Sequence, residues 1–277
     1  MIGCIIQARM GSTRLPGKVL RCIEEDKTVL YFVIKQMQES NLIDKIIVAT
    51  TKLEEDNQIE DYSKSLGIEC FRGSSDNVLE RYYQCAKKFS ISTIVRIPSD
   101  KPLIDPKIVD KTLEQFTNNS FDYVTNFVSE PTFPSDTEIN SLETKFNNFP
   151  SGTEVEVFSI NALEIAFNNA KLPSEKEHVT PYFPNHKNDF KIKQIENTKN
   201  LGHLRWAIDK AEDLDLVKKI VLKIKKRPIL MQDIIELFER EPRLVDINKE
   251  VDGKEGDLKS MKEDEEFLQG VKDGQKN

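Results

Sequence analysis

Cys4-Ile5-Ile6-Gln7-Ala8-Arg9-Met10-Gly11-Ser12-Thr13-Arg14-Leu15-Pro16-Gly17-Lys18 is the stretch around which the chain is organised. Residues 2–6 form a short apolar run bounded by turn formers, which predicts a buried strand. Arg9, Arg14 and Lys18 follow at spacings of five and four, with glycine and hydroxyl residues between them. A strand that empties into such a loop suits a polyanion. Small residues let backbone N–H groups approach, and the cations neutralise phosphate oxygens. A solvated basic loop is the plain alternative. The stretch is not a Walker loop: five residues rather than four separate Gly11 from Gly17, and Val19 stands where a magnesium-binding Ser or Thr belongs. Nor do Gly11 and Gly17 fit the dinucleotide fingerprint.

The chain has 277 residues, 38% of them hydrophobic and 31% charged, which suits one large globular α/β domain with extras. A net charge of −7 gives no support for a nucleic-acid partner, so the basic loop is a local feature. Cys4, Cys22, Cys70 and Cys85 make no C-x-x-C pair, as expected of reduced thiols. No leader or membrane-spanning run is recognisable, and the expectation is a cytoplasmic protein with no membrane partner.

Working outward, residues 29–42 carry apolar side chains at helical spacing, and residues 45–50 read as a second buried strand. A helix over 56–66 ends at Gly67, a natural C′ position. A short strand over 68–71 leads into the polar turn 72–77, which opens a helix over 78–89 with Ser75 or Asp76 as its N-cap. Residues 93–97 form the next strand. Strands alternating with helices imply right-handed crossovers and a mostly parallel sheet covered on both faces, an α/β fold.

Asp100 stands just past the strand 93–97, on the rim where open α/β sheets bind ligands, although a turn-forming role between Pro98 and Pro102 is the plain alternative. Residues 154–158 alternate and predict a strand with Glu154 and Glu156 on one face, either for general-base or hydroxyl-binding work or as a solvent stripe. Residues 204–208 read as a strand ending in Asp209, followed by a helix over 213–226. Thr132-Phe133-Pro134-Ser135 is echoed by Asn148-Phe149-Pro150-Ser151, and the polar segment 136–148 between them reads as an inserted surface loop or lid. Beyond residue 248 the composition turns acidic. There Leu258, Met261, Phe267, Leu268 and Val271 share half a helical wheel, either a packed terminal helix or a charged tail.

Taken residue by residue, the opening stretch resembles the signature loop of the cytidylyltransferases that make CMP-activated acidic sugars (the CMP-KDO synthetase-like group). Gln7 and Met10 favour the spore-coat polysaccharide biosynthesis branch over the CMP-sialate type. Four further segments match. Asp100 and residues 102–106 follow the family's G-D-x-P-L-I-[DE]-P segment, with Ser99 replacing the glycine and Lys101 where a small or acidic residue is usual. Residues 154–158 follow D-V-E-V-F with Glu154 for the aspartate, residues 177–182 read E-H-V-T-P-Y, and residues 205–214 follow R-x-x-[VI]-D-x-x-E-D-L. The matches cover residues 1–247, leaving 248–277 as an acidic tail or helix.

The resemblance implies a three-layer α/β/α fold of the nucleotide-diphospho-sugar transferase (GT-A-like) type, one domain with a projecting dimerisation segment near residues 131–151. It implies nucleotidyl transfer, with CTP and an acidic sugar or related acceptor as partners, and a homodimer. Arg9, Arg14 and Lys18, with Ser12, would hold the triphosphate. Ala8 and the turn bearing Arg72, Ser74 and Asn77 would select the base. Asp100 and Asp209 would hold Mg²⁺, and Lys101, Glu154, Glu156 and His178 would face the acceptor. Arg9, Lys18, Asp100 and Asp209 are the implied catalytic set. Two rivals are a glycosyltransferase of the same sheet architecture, for which no Asp-x-Asp motif follows a strand, and a non-catalytic nucleotide-binding protein, for which Lys18, Asp100 or Asp209 would be dispensable.

Overall fold

The structure is a computed structural model that describes residues 1–127, 148–253 and 255–274. The expected inserted loop and dimerisation segment therefore fall almost wholly outside the described residues. Strand β1 (Ile2–Gln7) is followed by a small hairpin, β2 (Cys22–Glu24) and β3 (Lys27–Thr28), and by helix α1 (Val29–Met37). The order continues with β4 (Lys45–Thr51), α2 (Asn57–Ser65), β5 (Glu69–Gly73), α3 (Val78–Lys88), β6 (Thr93–Pro98), α4 (Pro106–Thr117) and β7 (Tyr123–Thr125). The second half holds β8 (Glu156–Ser159), α5 (Ile160–Asn169), α6 (Pro173–His178), α7 (Tyr182–Asn185), β9 (Ile192–Gln194), α8 (Ala211–Lys223), α9 (Met231–Arg240) and α10 (Glu255–Gly274).

Seven strands form one sheet in the order β5-β4-β1-β6-β8-β7-β9. All neighbouring pairs are parallel except the two made by β8, which runs against β6 and β7. The period-two geometry of β1 divides its side chains between two cores. Cys4 and Ile6 pack with α1, α2 and α4, whereas Ile5 packs with α3, α5 and α7 on the other face. A third core lies outside α1, where Val29 and Phe32 meet Trp206 and the apolar sides of α8 and α9. This is the mixed three-layer sheet fold expected from the sequence.

Several local expectations need correction. α1 stops at Met37, because Ser40 and the backbone of Asn41 bond to Asp110 instead of continuing the helix. The N-cap of α3 is Asn77, whose Oδ1 accepts from the Glu80 N–H at 2.9 Å, not Ser75 or Asp76. Residues 204–208 are extended but make only a single bridge, Ser151 to Arg205, and do not join the sheet. The tail does form a helix, but its apolar side is not what packs: Leu258 is 60% and Met261 42% exposed.

Candidate active site

From β1 the chain moves outward to β4 and β5, then crosses back to β6 on the other side of β1. That reversal leaves a crevice beyond the carboxyl ends of β1 and β6, where Gln7 is level with Pro98. The loop after β1 is closed on itself. The carbonyl of Met10 accepts from Ser12 N at 2.7 Å and from Gly17 N at 3.1 Å, and Met10 N donates to Asp56 Oδ1 at 2.7 Å. Gly17 has φ +65°, a left-handed turn that favours glycine, and it aims Lys18 back at the crevice.

Asp209 reaches the same place by another route. Ile208 N donates to the Asp100 carbonyl at 2.8 Å, and Trp206 N donates to Ser151 O at 2.8 Å, so an extended segment is laid across the strand ends. Gly152 makes that crossing possible, since its φ is +106° and a Cβ there would lie 2.8 Å from Ala207 N. Asp213, fully buried, then accepts from the backbone N–H groups of Asp209 (2.9 Å) and Lys210 (3.0 Å) and fixes the start of α8.

The two aspartates meet over one ammonium. Lys18 Nζ lies 3.1 Å from Asp100 Oδ2, 3.0 Å from Asp209 Oδ1 and 2.7 Å from the Ile208 carbonyl. Arg14 donates to Asp209 Oδ1 at 2.5 Å and Arg205 to Oδ2 at 2.6 Å. Burial works against the Asp209 charge, but Lys18, Arg14 and Arg205 outweigh it and hold the carboxyl down at about 2. Burial likewise works against the Lys18 charge, yet Asp100 and Asp209 keep its ammonium above its ordinary range. Asp100 Oδ1 is buried with no hydrogen-bond partner, an anionic atom that a cation would satisfy. Among the described residues no cluster of three or more His, Cys, Asp or Glu could hold a metal. Both oxygens of Asp209 are engaged by Lys18, Arg14 and Arg205. Mg²⁺ needs few carboxylates and completes its shell with water and phosphate oxygens, so it would be held by Asp100 Oδ1 and by Asp209 once one of those cations turns to a phosphate.

This cluster opens on a cavity of about 840 Å³. Ala8, Arg9, Ser12, Arg14, Lys18, Asp100 and His178 line it, and Asp209 stands behind Lys18. Arg9 crosses to the E-H-V-T-P-Y segment, donating to Glu177 at 2.8 Å. Other expected site residues lie elsewhere. Arg72 is consumed by Thr51 O, Leu53 O, Asn57 and Glu60; Ser74 and Asn77 shape the start of α3 and do not line the cavity. Lys101 pairs with Glu154 at 3.1 Å, and Glu154 also accepts from Gly152 N at 2.8 Å, a brace for the turn before β8.

Glu156 is the clearest correction. It is 1% exposed, opposite Arg96 in the β6–β8 register, ion-paired to it and accepting from the Tyr123 hydroxyl at 2.8 Å. Its charge is used inside the sheet and cannot face an acceptor. Conversely, residues not singled out for the site reach the cavity. Gln7 Oε1 is buried there without a partner, and Arg81, 1% exposed, lines the wall while donating to Ser74 O at 2.7 Å. Arg81 was readable in principle as a charge set inside the apolar stripe of α3. The contribution of α10, through Glu255, Gly256, Lys259, Ser260, Glu263 and Phe267, had no such signal.

A loop of three cations faces Asp100, just past β6, and Asp209, at the end of the segment laid across the strand ends, an arrangement of charges that suits a polyphosphate. Residues 3–250 match the family profile described as cytidylyltransferase, and the chain belongs to that family. It is 30% identical to the spore coat polysaccharide biosynthesis protein SpsF of Bacillus subtilis over 86% of this chain and 94% of that one. It is 34% identical to the 3-deoxy-manno-octulosonate cytidylyltransferase of Trichlorobacter lovleyi, over 43% of this chain and 46% of that one. The solved structure of a cytidylyltransferase from Leptospira borgpetersenii serovar Hardjo-bovis superposes with a TM-score of 0.78 at 30% identity, covering 88% of this chain and 96% of that one.

Proposed function

We propose that the protein transfers CMP from CTP to an acidic sugar or related surface-polysaccharide precursor and releases pyrophosphate. The observation that carries the reading is Lys18 seated between Asp100 and Asp209 at the end of the three-cation loop, at the mouth of the cavity. Arg9, Arg14 and Lys18 bind the triphosphate, assisted by Ser12. A hydroxyl oxygen of the acceptor attacks the α-phosphorus in line and loses its proton to water; the bond to the β-phosphate oxygen breaks, and its electron pair leaves with pyrophosphate. The cations stabilise charge that grows on the leaving group, so catalysis is positioning plus electrostatics, without a covalent nucleophile. Asp100 and Asp209 would hold Mg²⁺, which would offset charge at the phosphates.

We further propose that the enzyme acts in the cytoplasm as a homodimer. No helix among the described residues is long and apolar enough to cross a membrane. The test of the activity is pyrophosphate release over CTP, UTP, ATP and GTP with a panel of keto-deoxy sugar acids, nonulosonic acids and phosphorylated sugars or polyols. CTP and Mg²⁺ should be required; equal turnover of ATP would contradict the cytidylyl assignment.

A further inference from the structure

The family match ends at residue 250, and α10 begins five positions later. Yet α10 lies along the cavity. At its start, Glu255 accepts from Lys210 at 2.5 Å, one residue beyond Asp209. One turn on, Ser260 meets His178 Nε2 at 2.6 Å, and a further turn on, Asp264 accepts from Ser174 N at 2.9 Å and Ser174 Oγ at 2.5 Å. Ser174 and His178 both belong to α6, the helix that carries the E-H segment.

The helix is seated by these polar bonds. Asp264 is completely buried with both oxygens engaged, while Leu258, Phe267 and Val271 remain 60%, 39% and 44% exposed. Apolar packing alone would tolerate rotation and sliding of a helix; a buried carboxylate with two donors allows one register. That register turns Lys259 toward the cavity, where Lys171 and Lys176 also contribute to the lining. The side chain of Lys259 is 75% exposed and makes only a loose pair with Glu263 at 3.5 Å.

We propose that α10, which lies beyond the segment matched to the family profile, is an acceptor-recognition wall, and that the Lys259 ammonium contacts the acceptor's anionic group, a carboxylate or a phosphate. The inference rests on reading the cavity as the nucleotidyl-transfer site. The loop cations serve the nucleotide, so a separate lysine on a separate element gives the acceptor its own charge complement. Ser260, Asp264 and Glu255 act as positioning residues that hold the wall in place.

The test is calorimetric titration of the full-length protein, with CTP present and Mg²⁺ omitted to prevent turnover. The probes are 3-deoxy-manno-octulosonate, a nonulosonic acid and a sugar phosphate, and CTP is titrated separately. Lys259→Ala should weaken the best-bound probe by about ten-fold, with Lys259→Arg recovering most of the loss and CTP affinity changing less than about two-fold. Which probe binds best distinguishes a carboxylate from a phosphate. A second variant lacking residues 251–277 should lose probe affinity at least as much. Unchanged probe affinity in Lys259→Ala would overturn the inference, as would a full-length protein that binds CTP but none of the probes. Failure of CTP to bind the full-length protein even with Mg²⁺ restored would instead remove the nucleotidyl-transfer reading and the inference with it.

Discussion

Two groups of charges lie on neighbouring parts of β6 and its exit. Inside the sheet, Arg96 and Glu156 face each other across β6 and β8, and Tyr123 takes the second carboxylate oxygen. Just beyond the strand, Asp100 and Asp209 share Lys18, with Arg14 and Arg205 added on Asp209. In the first group both oxygens of the carboxylate are satisfied internally, although Arg96 Nε is buried without a partner, and neither Arg96 nor Glu156 lines the cavity. In the second, three cations surround one aspartate, the other aspartate keeps a buried oxygen without a partner, and the group faces 840 Å³ of open space. The difference separates charges that hold a sheet together from charges held ready for a ligand. Residue type alone does not make that distinction.

Breaking the inner pair should show the largest effect on stability. Glu156→Ala leaves Arg96 buried and uncompensated, and the loss should be about 3–5 kcal/mol in urea unfolding. Activity per folded molecule should be preserved. A loss of turnover at full stability would return Glu156 to the site.

At the rim the effect should fall on chemistry. Asp100→Asn or Asp209→Asn should each lower turnover by roughly 100–1000-fold, about 3–4 kcal/mol. The double variant should cost little more than the worse single one, because the two carboxylates act as a unit. Additive losses would mean that they work independently.

Acid separates the clusters further. The Asp209 carboxyl is held down at about 2, below its ordinary value near 3.8. A depressed carboxyl contributes stability that is present above its unfolded value and is lost as pH falls through the folded one. Its contribution, on the order of 2 kcal/mol, should therefore be constant from neutral pH to about pH 5 and vanish between about pH 4 and 2. The stability gap between wild type and Asp209→Asn, measured against pH, should narrow in that window. The smallest effect should come from the exposed Arg9–Glu177 pair: Glu177→Gln should change stability by less than about 1 kcal/mol.

Much of this was legible from residue order. Apolar runs at 2–6, 45–50 and 93–97, each followed by a helical pattern, specify the parallel half of the sheet, because strand burial and crossover handedness leave few alternatives. The three loop cations and both aspartates do converge on one rim. Glu154 misled because the strand begins only at Glu156, leaving Glu154 in the turn with Lys101 and Gly152 N. Glu156 misled because alternation does not say whether a face looks at water or, as here, at Arg96. The route of Asp209 was hidden for a similar reason: residues 204–208 have strand composition, yet their bonds go to Ser151 and the Asp100 carbonyl, which only the tertiary fold supplies. In α10 the apolar half-wheel suggested the packing side, and buried Asp264 determined it instead.

The most direct test of the rim as a nucleotide site is calorimetric titration of CTP, at fixed Mg²⁺, into wild type and Lys18→Ala. Lys18 supplies a charge-assisted contact worth about 1.5–3 kcal/mol, so the variant should bind CTP at least about ten-fold more weakly, with folding retained. A folded Lys18→Ala protein that binds CTP as tightly as wild type would contradict the assignment of this loop as the triphosphate cradle.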